Sequence, residues 1–141
     1  MSSINDKILK FVKSELIKVQ IEVFQKENGR EGVDFLIGEN QLYLQSIDLD
    51  TTQRSIKIKK QELGELKDNL FVALVLIIEK ESKVLYLIPS KDLQQSNNNI
   101  FIENNVSLMP ILSNWEIKVY SNTIPELAKY TLENMIDKLK V

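Results

Sequence analysis

Asp34 and Gln45 are the most informative pair of side chains in this sequence, because their types and spacing could hold a metal ion. They lie on two alternating runs, Val33 to Ile37 and Gln41 to Leu49, joined by a tight connection at Gly38-Glu39-Asn40. With Glu39-Asn40 as a two-residue turn, Ile37 faces Leu42, Leu36 faces Tyr43 and Asp34 faces Gln45. Opposed residues of an antiparallel pair have Cβ atoms about 4.5 to 5.5 Å apart. Strand alternation sets Asp34, Leu36, Tyr43, Gln45 and Ile47 on one face, with Phe35, Leu42 and Leu44 on the other. A three-residue loop would change this register, and the turn lacks the Asn-Gly or Asp-Gly signature that would fix it. An aspartate beside a carboxamide oxygen can supply ligands to Mg²⁺, which takes few protein ligands and keeps several waters. Such an ion activates water and neutralises charge on a scissile phosphate. A lysine two residues after the second ligand would share the face and could position that water. Ile47 stands there instead.

Plainer readings stand beside these. Asp34 could simply solvate a strand edge, and Gln45 could be a surface residue. Asp48 and Asp50, with Thr51 and Thr52, could form a metal cluster or mark a strand end and its turn. Arg54, Lys57, Lys59 and Lys60 form the only basic concentration and could contact the phosphates of DNA or RNA. The same four could equally be the solvated edge of an alternating strand. Trp115 and Tyr120 read as packing residues.

The rest of the chemistry is bounded by what is missing. There is no cysteine and no histidine among the 141 residues, which removes disulfides, thiolate chemistry, ordinary zinc sites and every imidazole-based scheme. Catalysis would have to use carboxylates, lysine, hydroxyls or an oxygen-bound metal. A formal charge of −2 gives no global attraction to nucleic acid or anionic lipid. No stretch approaches the roughly 20 apolar residues of a membrane span. The N-terminal Met1-Ser2-Ser3-Ile4-Asn5-Asp6 does not read as a signal peptide, so a cytoplasmic location is the default expectation. A hydrophobic content of 43% in a chain of this length suits one domain, residues 1–141.

The elements that must position these residues follow from periodicity. Ile4, Ile8, Phe11, Val12 and Leu16 predict an amphipathic helix over about residues 4 to 15. Ile17, Val19, Ile21 and Val23 then alternate with polar residues, which predicts a strand, with continuation of the helix to Gln25 as the alternative. Asn28-Gly29 and Gly32 are turn chemistry. Asp50 to Ser55 is a polar connection, followed by a short helix around Gln61 to Leu66. The unbroken apolar run Leu70 to Ile78 predicts a central strand covered on both faces. Glu79 to Lys83 predicts a charged turn, and Val84 to Ile88 a returning strand ended by Pro89. Ser96-Asn97-Asn98-Asn99 and Asn104-Asn105 punctuate an irregular stretch read as a solvated loop. Trp115 to Tyr120 alternates as a last strand. Thr123 with Glu126 forms a capping box, and Ala128, Leu132, Met135 and Leu139 line a closing helix. The expected fold is α/β, a mixed β-sheet flanked by helices in the order α-βββ-α-ββ-β-α.

Gly32-Val33-Asp34-Phe35-Leu36-Ile37 and Leu42-Tyr43-Leu44-Gln45-Ser46-Ile47, within an opening helix and three-strand unit, resemble the core of the restriction-endonuclease-like, PD-(D/E)XK, superfamily. The later short helix, apolar strand, second strand ending at Pro89, tryptophan strand and final helix are similar too. The resemblance implies a Mg²⁺-dependent nuclease site in which Asp34 matches the metal-binding aspartate and Gln45 the second ligand. Glu15 matches the acidic residue some members supply from the first helix. Ile47 matches the lysine position and departs from it, so the expected protein is a catalytically degenerate member. Lys57 or Lys59 could supply a displaced lysine. A competing reading is a non-enzymatic interaction module, since the element order and acidity also resemble small secretion chaperones, which dimerise and wrap a protein segment. A toxin-immunity partner fits the size and acidity alone.

Overall fold

The computed structural model describes residues 6–25, 35–95 and 100–139. Asp34, the turn residues Asn28-Gly29 and Gly32, and Ser96-Asn97-Asn98-Asn99 lie outside these. The protein is a mixed α/β structure whose two sheets contribute to one continuous hydrophobic cluster.

Helix α1 spans Asp6–Lys18 and buries Ile8, Val12 and Leu16 along one stripe. The strand expected from Ile17 to Val23 is not formed. The helix continues through Ile17, which is exposed, and ends where Gln20 enters the left-handed region at φ 62°. There Gln20 N–H donates to Ile17 O (2.9 Å) and Ile21 N–H to Leu16 O (2.9 Å), the paired bonds of a Schellman cap, with Ile21 and Leu16 both buried. Glycine is the usual residue at such a position, because a Cβ there costs about 1–2 kcal/mol. Gln20→Gly is therefore expected to stabilise the fold by about 0.5–1 kcal/mol after the larger unfolded-state entropy of glycine is deducted. Thermal unfolding should show a rise of about 2–4 °C.

Strand pairing begins late, at β1 (Phe24–Gln25), followed by β2 (Phe35–Ile37) and β3 (Asn40–Asp48). The β2–β3 turn is Gly38-Glu39 rather than Glu39-Asn40, with Gly38 at φ 59° as the first central residue, a type II′ arrangement that glycine adopts without strain. The register is thereby shifted by two. Phe35 faces Leu42, Leu36 faces Gln41 and Ile37 faces Asn40. A shift of two preserves faces, so Tyr43, Gln45 and Ile47 share a side with Leu36, as alternation predicts.

The chain then crosses through β4 (Ser55–Lys59) and the short α2 (Lys60–Leu63) to β5 (Leu70–Ile78). β5 lies parallel to β3 and antiparallel to β6 (Glu81–Pro89), which gives the sheet order β1-β2-β3-β5-β6. β5 is buried along almost its whole length, as its uninterrupted apolar sequence requires. The β5–β6 turn is tighter than expected: Glu79 and Lys80 alone form it, both with positive φ (54° and 65°). Neither is the asparagine or glycine such a turn prefers. The Asp50 carboxylate compensates, accepting from Glu79 N–H (2.8 Å) and Lys80 N–H (2.7 Å).

Two strands outside the expected element order complete a second sheet, ordered β4-β8-β7: β4, the alternating edge suggested by Lys57 and Lys59, and β7 (Phe101–Asn104), both paired with β8 (Asn114–Lys118). β7 lies in the stretch read as a loop; its pairing with β8 is what orders it. The single closing helix is replaced by α3 (Ile124–Leu127), a 3-10 turn and α4 (Leu132–Leu139), interrupted at Thr131, which is extended and bridges Tyr86. Thr123 does not cap α3. Its backbone is already helical, and its buried hydroxyl turns to Lys118 O (2.9 Å) and accepts from Tyr120 N–H (2.8 Å). Tyr130 Oη donates to Asp92 (2.8 Å), tying this end to the 3-10 turn Ser90–Gln94.

Candidate functional site

Gln45 projects from the same face of β3 as Tyr43 and Ile47, and its amide Nε2 donates to Tyr43 Oη (3.2 Å). Tyr43 Oη in turn donates to Glu62 on α2 (2.9 Å), so a short polar chain runs from β3 to the crossover helix. Tyr43 is buried and Gln45 half-buried. Ile47, where a lysine would be wanted, is fully buried in the core and neighbours Leu76 of β5. An aliphatic side chain in that setting offers neither a donor nor a charge. The polar chain missed by sequence reasoning has a half-visible signal: Tyr43 and Gln45 are two apart on one strand and so adjacent on one face. Nothing local points to Glu62.

The other expected site residues are spread over separate elements. Glu15, on α1, forms an ion pair with Lys18 (2.9 Å). Lys57, on β4, faces Glu116 of β8 across the strand pair. The Glu116 carboxyl is held below the usual carboxylate range by the Asn104 amide first, then by Ser55 and the charges of Lys57 and Lys118, against partial burial that pushes it up. The Asp34–Gln45 juxtaposition followed from the register that β2 and β3 do not adopt, and Asp34 itself lies outside the described residues. Among the described residues, no three acidic side chains are gathered as metal ligands would be.

Asp48 and Asp50 serve turns. Asp48 Oδ1 accepts from Asp50 N–H (2.9 Å), the Thr51 hydroxyl donates to Asp48 O (2.8 Å), and Asp50 clamps the β5–β6 turn.

Two of the four basic residues make contacts within the protein. Arg54 donates to the carbonyls of Thr51 and Gln53 (both 2.7 Å). Lys60 pairs with Glu103, donates to Asn105 (2.6 Å) and lies 4.4 Å from the centre of the Trp115 ring. The buried Trp115 Nε1 has no hydrogen-bond partner among the described residues. Lys59 is exposed and faces Asn114, and with Lys57 it alternates along β4, an outer strand of its sheet. That pattern fits an edge kept from pairing by charge.

A separate groove of about 620 Å³ lies between α1 and the β5–β6 hairpin. Ile8, Phe11 and Ile77 supply apolar lining, and Lys7, Lys10 and Lys80 stand with Asp48 and Glu81. Neither Gln45, Glu15 nor Lys57 lines it. Its mixed charges select no one sign of ligand. Among the described residues, no helix is long and apolar enough to cross a membrane. No protein-family model, curated protein or solved structure matches the chain.

Proposed function

We propose that the protein is a restriction-endonuclease-like member that no longer cleaves and acts by binding. The observation that carries this reading is Ile47, buried where the motif wants a lysine, on the same strand face as a Gln45 whose amide nitrogen donates to Tyr43. The order of elements supports the scaffold half of the reading: an opening helix, antiparallel β1 to β3, a short helix before apolar β5, β6 ending at Pro89, a tryptophan strand and closing helices. The second sheet, with β4 and β7, is an addition to the expected pattern.

Mg²⁺ at Asp34 and Gln45 is the arm of the reading that a cleavage assay addresses. Purified protein with Mg²⁺ or Mn²⁺ is expected to leave plasmid DNA intact. Cleavage by the wild type that Asp34→Ala abolishes would sink the proposal.

Contact with DNA or RNA would draw on Arg54, Lys57, Lys59 and Lys60, and the ion pair of Lys60 with Glu103 leaves chiefly the exposed Arg54, Lys57 and Lys59 for phosphate. Affinity for a labelled duplex or single strand should therefore be weak, with a log–log salt slope of about −2 to −3. A second reading, a protein-interaction module, is favoured by the exposed apolar side chains of the β7–β8 loop.

A further inference from the structure

The β7–β8 loop presents Leu108, Met109, Ile111 and Leu112 to solvent at 94, 53, 55 and 45% exposure. Such a contiguous apolar patch on a small protein marks an interaction surface. The loop is internally braced. Met109 N–H donates to Val106 O (3.2 Å), Leu112 N–H to Met109 O (2.9 Å), and Val106 N–H to Ser113 Oγ (2.9 Å). Ser113 O accepts from Lys60 N–H (3.0 Å), which fixes the loop to α2. Side chains held out by a hydrogen-bonded loop lose little freedom on binding, which lowers the entropic cost of association.

We propose that this tip is a self-association surface, packing against the same tip of a second copy of the chain across a two-fold axis. Charge favours a second copy as the occupant. From Asn104 to Trp115 there is no ionisable side chain, in a sequence that is 27% charged. A two-fold contact sets a patch against its own copy, so any charge within it meets its like, and an uncharged apolar patch fits itself. Asn104, Asn105 and Asn114 border the apolar residues in sequence, giving the polar rim expected around an interface core. A lipid surface is the poorer fit. Membrane-binding segments carry several Lys or Arg beside their apolar residues, whereas here the charges flanking in sequence are Glu103 and Glu116, Lys60 is held by Glu103 and Asn105, and Lys59, opposite Asn114, is a single exposed lysine at the base of the loop. Four side chains fall short of the roughly 800 Å² per partner of a stable complex, so the dimer is weak and concentration-dependent. This inference is independent of whether the protein contacts nucleic acid.

Sedimentation velocity on the full chain, from about 5 to about 500 µM, brackets a dissociation constant on the order of 50 µM expected of a small contact. The wild type should move from monomer toward dimer over that range. A Leu108→Asp, Ile111→Asp variant should weaken association at least about tenfold, since each tip would then bring two like charges to the axis. Its thermal unfolding should match the wild type, because the replaced side chains are largely in solvent. The chain has no native cysteine, so Ser107→Cys offers an independent readout that leaves the apolar set intact. With diamide as oxidant it should give a disulfide-linked dimer, and Glu133→Cys, on α4, should not. A wild type monomeric at the highest concentration overturns the proposal. So does a dimer that the double aspartate variant leaves unchanged, or one that Ser107→Cys fails to link. A monomeric wild type that sediments with phosphatidylcholine or phosphatidylserine vesicles, and loses this in the double variant, overturns it in favour of lipid.

Discussion

Ile47→Lys is expected to cost the fold about 3–5 kcal/mol, the range for a buried charge left without a partner, and not to restore a catalytic group. Ile47 is fully buried, and its neighbour across the parallel pair, Leu76, is also in the core. A lysine there would exchange an aliphatic contact for an ammonium group that must shed its water or lose its proton. Thermal unfolding should fall by about 10 °C or more. Ile47→Leu, which conserves volume, should cost less than about 1.5 kcal/mol and serves as the control. The pH dependence separates charge from packing. Burial lowers the folded-state pKa of such a lysine below its unfolded value, so in the window between the two the unfolded chain binds the extra proton. Stability of the variant should therefore rise as pH rises through that window toward about 10. Denaturant unfolding at several pH values reads this directly. A variant as stable as the wild type at neutral pH would mean that position 47 can reach water, and the catalytic reading would regain its footing.

The second large effect is expected at Tyr130. Its side chain is buried, its hydroxyl donates to Asp92 (2.8 Å), and its ring lies 6.0 Å from that of Phe101. Burial first, and then the Asp92 carboxylate, push the hydroxyl's pKa well above the ordinary tyrosine range. Tyr130→Phe removes a hydrogen bond to a charged acceptor and should cost about 1.5–3 kcal/mol at neutral pH. For a group whose folded pKa is raised, the stabilisation is full below the unfolded value near 10 and is lost as pH climbs toward the folded value. The wild type should accordingly lose stability above about pH 10, and the phenylalanine variant should lose less over the same interval. Burial also raises the Tyr86 hydroxyl, so part of the alkaline sensitivity should persist in the variant. Urea midpoints at neutral and alkaline pH test both statements. An unchanged alkaline slope would show that Tyr130 ionises as freely folded as unfolded.

The parts of this fold legible from sequence are those whose own pattern marks them. β5 announces itself because a nine-residue apolar run rich in β-branched residues suits a strand covered on both faces. The shared face of Leu36, Tyr43, Gln45 and Ile47 survives a turn placed one residue too late, because a register shift of two leaves alternation intact. The end of α1 is hidden. Ile17 to Val23 alternate like a strand, and what stops the helix is a left-handed Gln20, a residue with no marked preference for that conformation. β4, where Ile56 and Ile58 alternate with Lys57 and Lys59, is visible only as a short alternating edge, and the four residues of β7 are too few to show a period; both owe their place to β8, which pairs with each from a distant part of the chain. The candidate site is legible only in its strand. Tyr43 beside Gln45 follows from alternation, whereas Glu62, like the grip of Glu103 and Asn105 on Lys60, depends on how the crossover packs.

β5 also sets the chain's exposure to misassembly. Nine consecutive apolar residues with strong β-propensity make the kind of segment that stacks with copies of itself whenever it is left uncovered. Its two neighbours in the sheet have different timing during synthesis. β3 is already made, and β6 follows after only Glu79 and Lys80, so both flanks of the strand can be occupied soon after it emerges. Lys67 and Asp68 before it, with Glu79, Lys80, Glu81 and Lys83 after it, put charges at both ends, where they act as gatekeepers against stacking. The charged turn, whose two residues are both unfavourable for its backbone, places a carboxylate and an ammonium directly at the end of the apolar run.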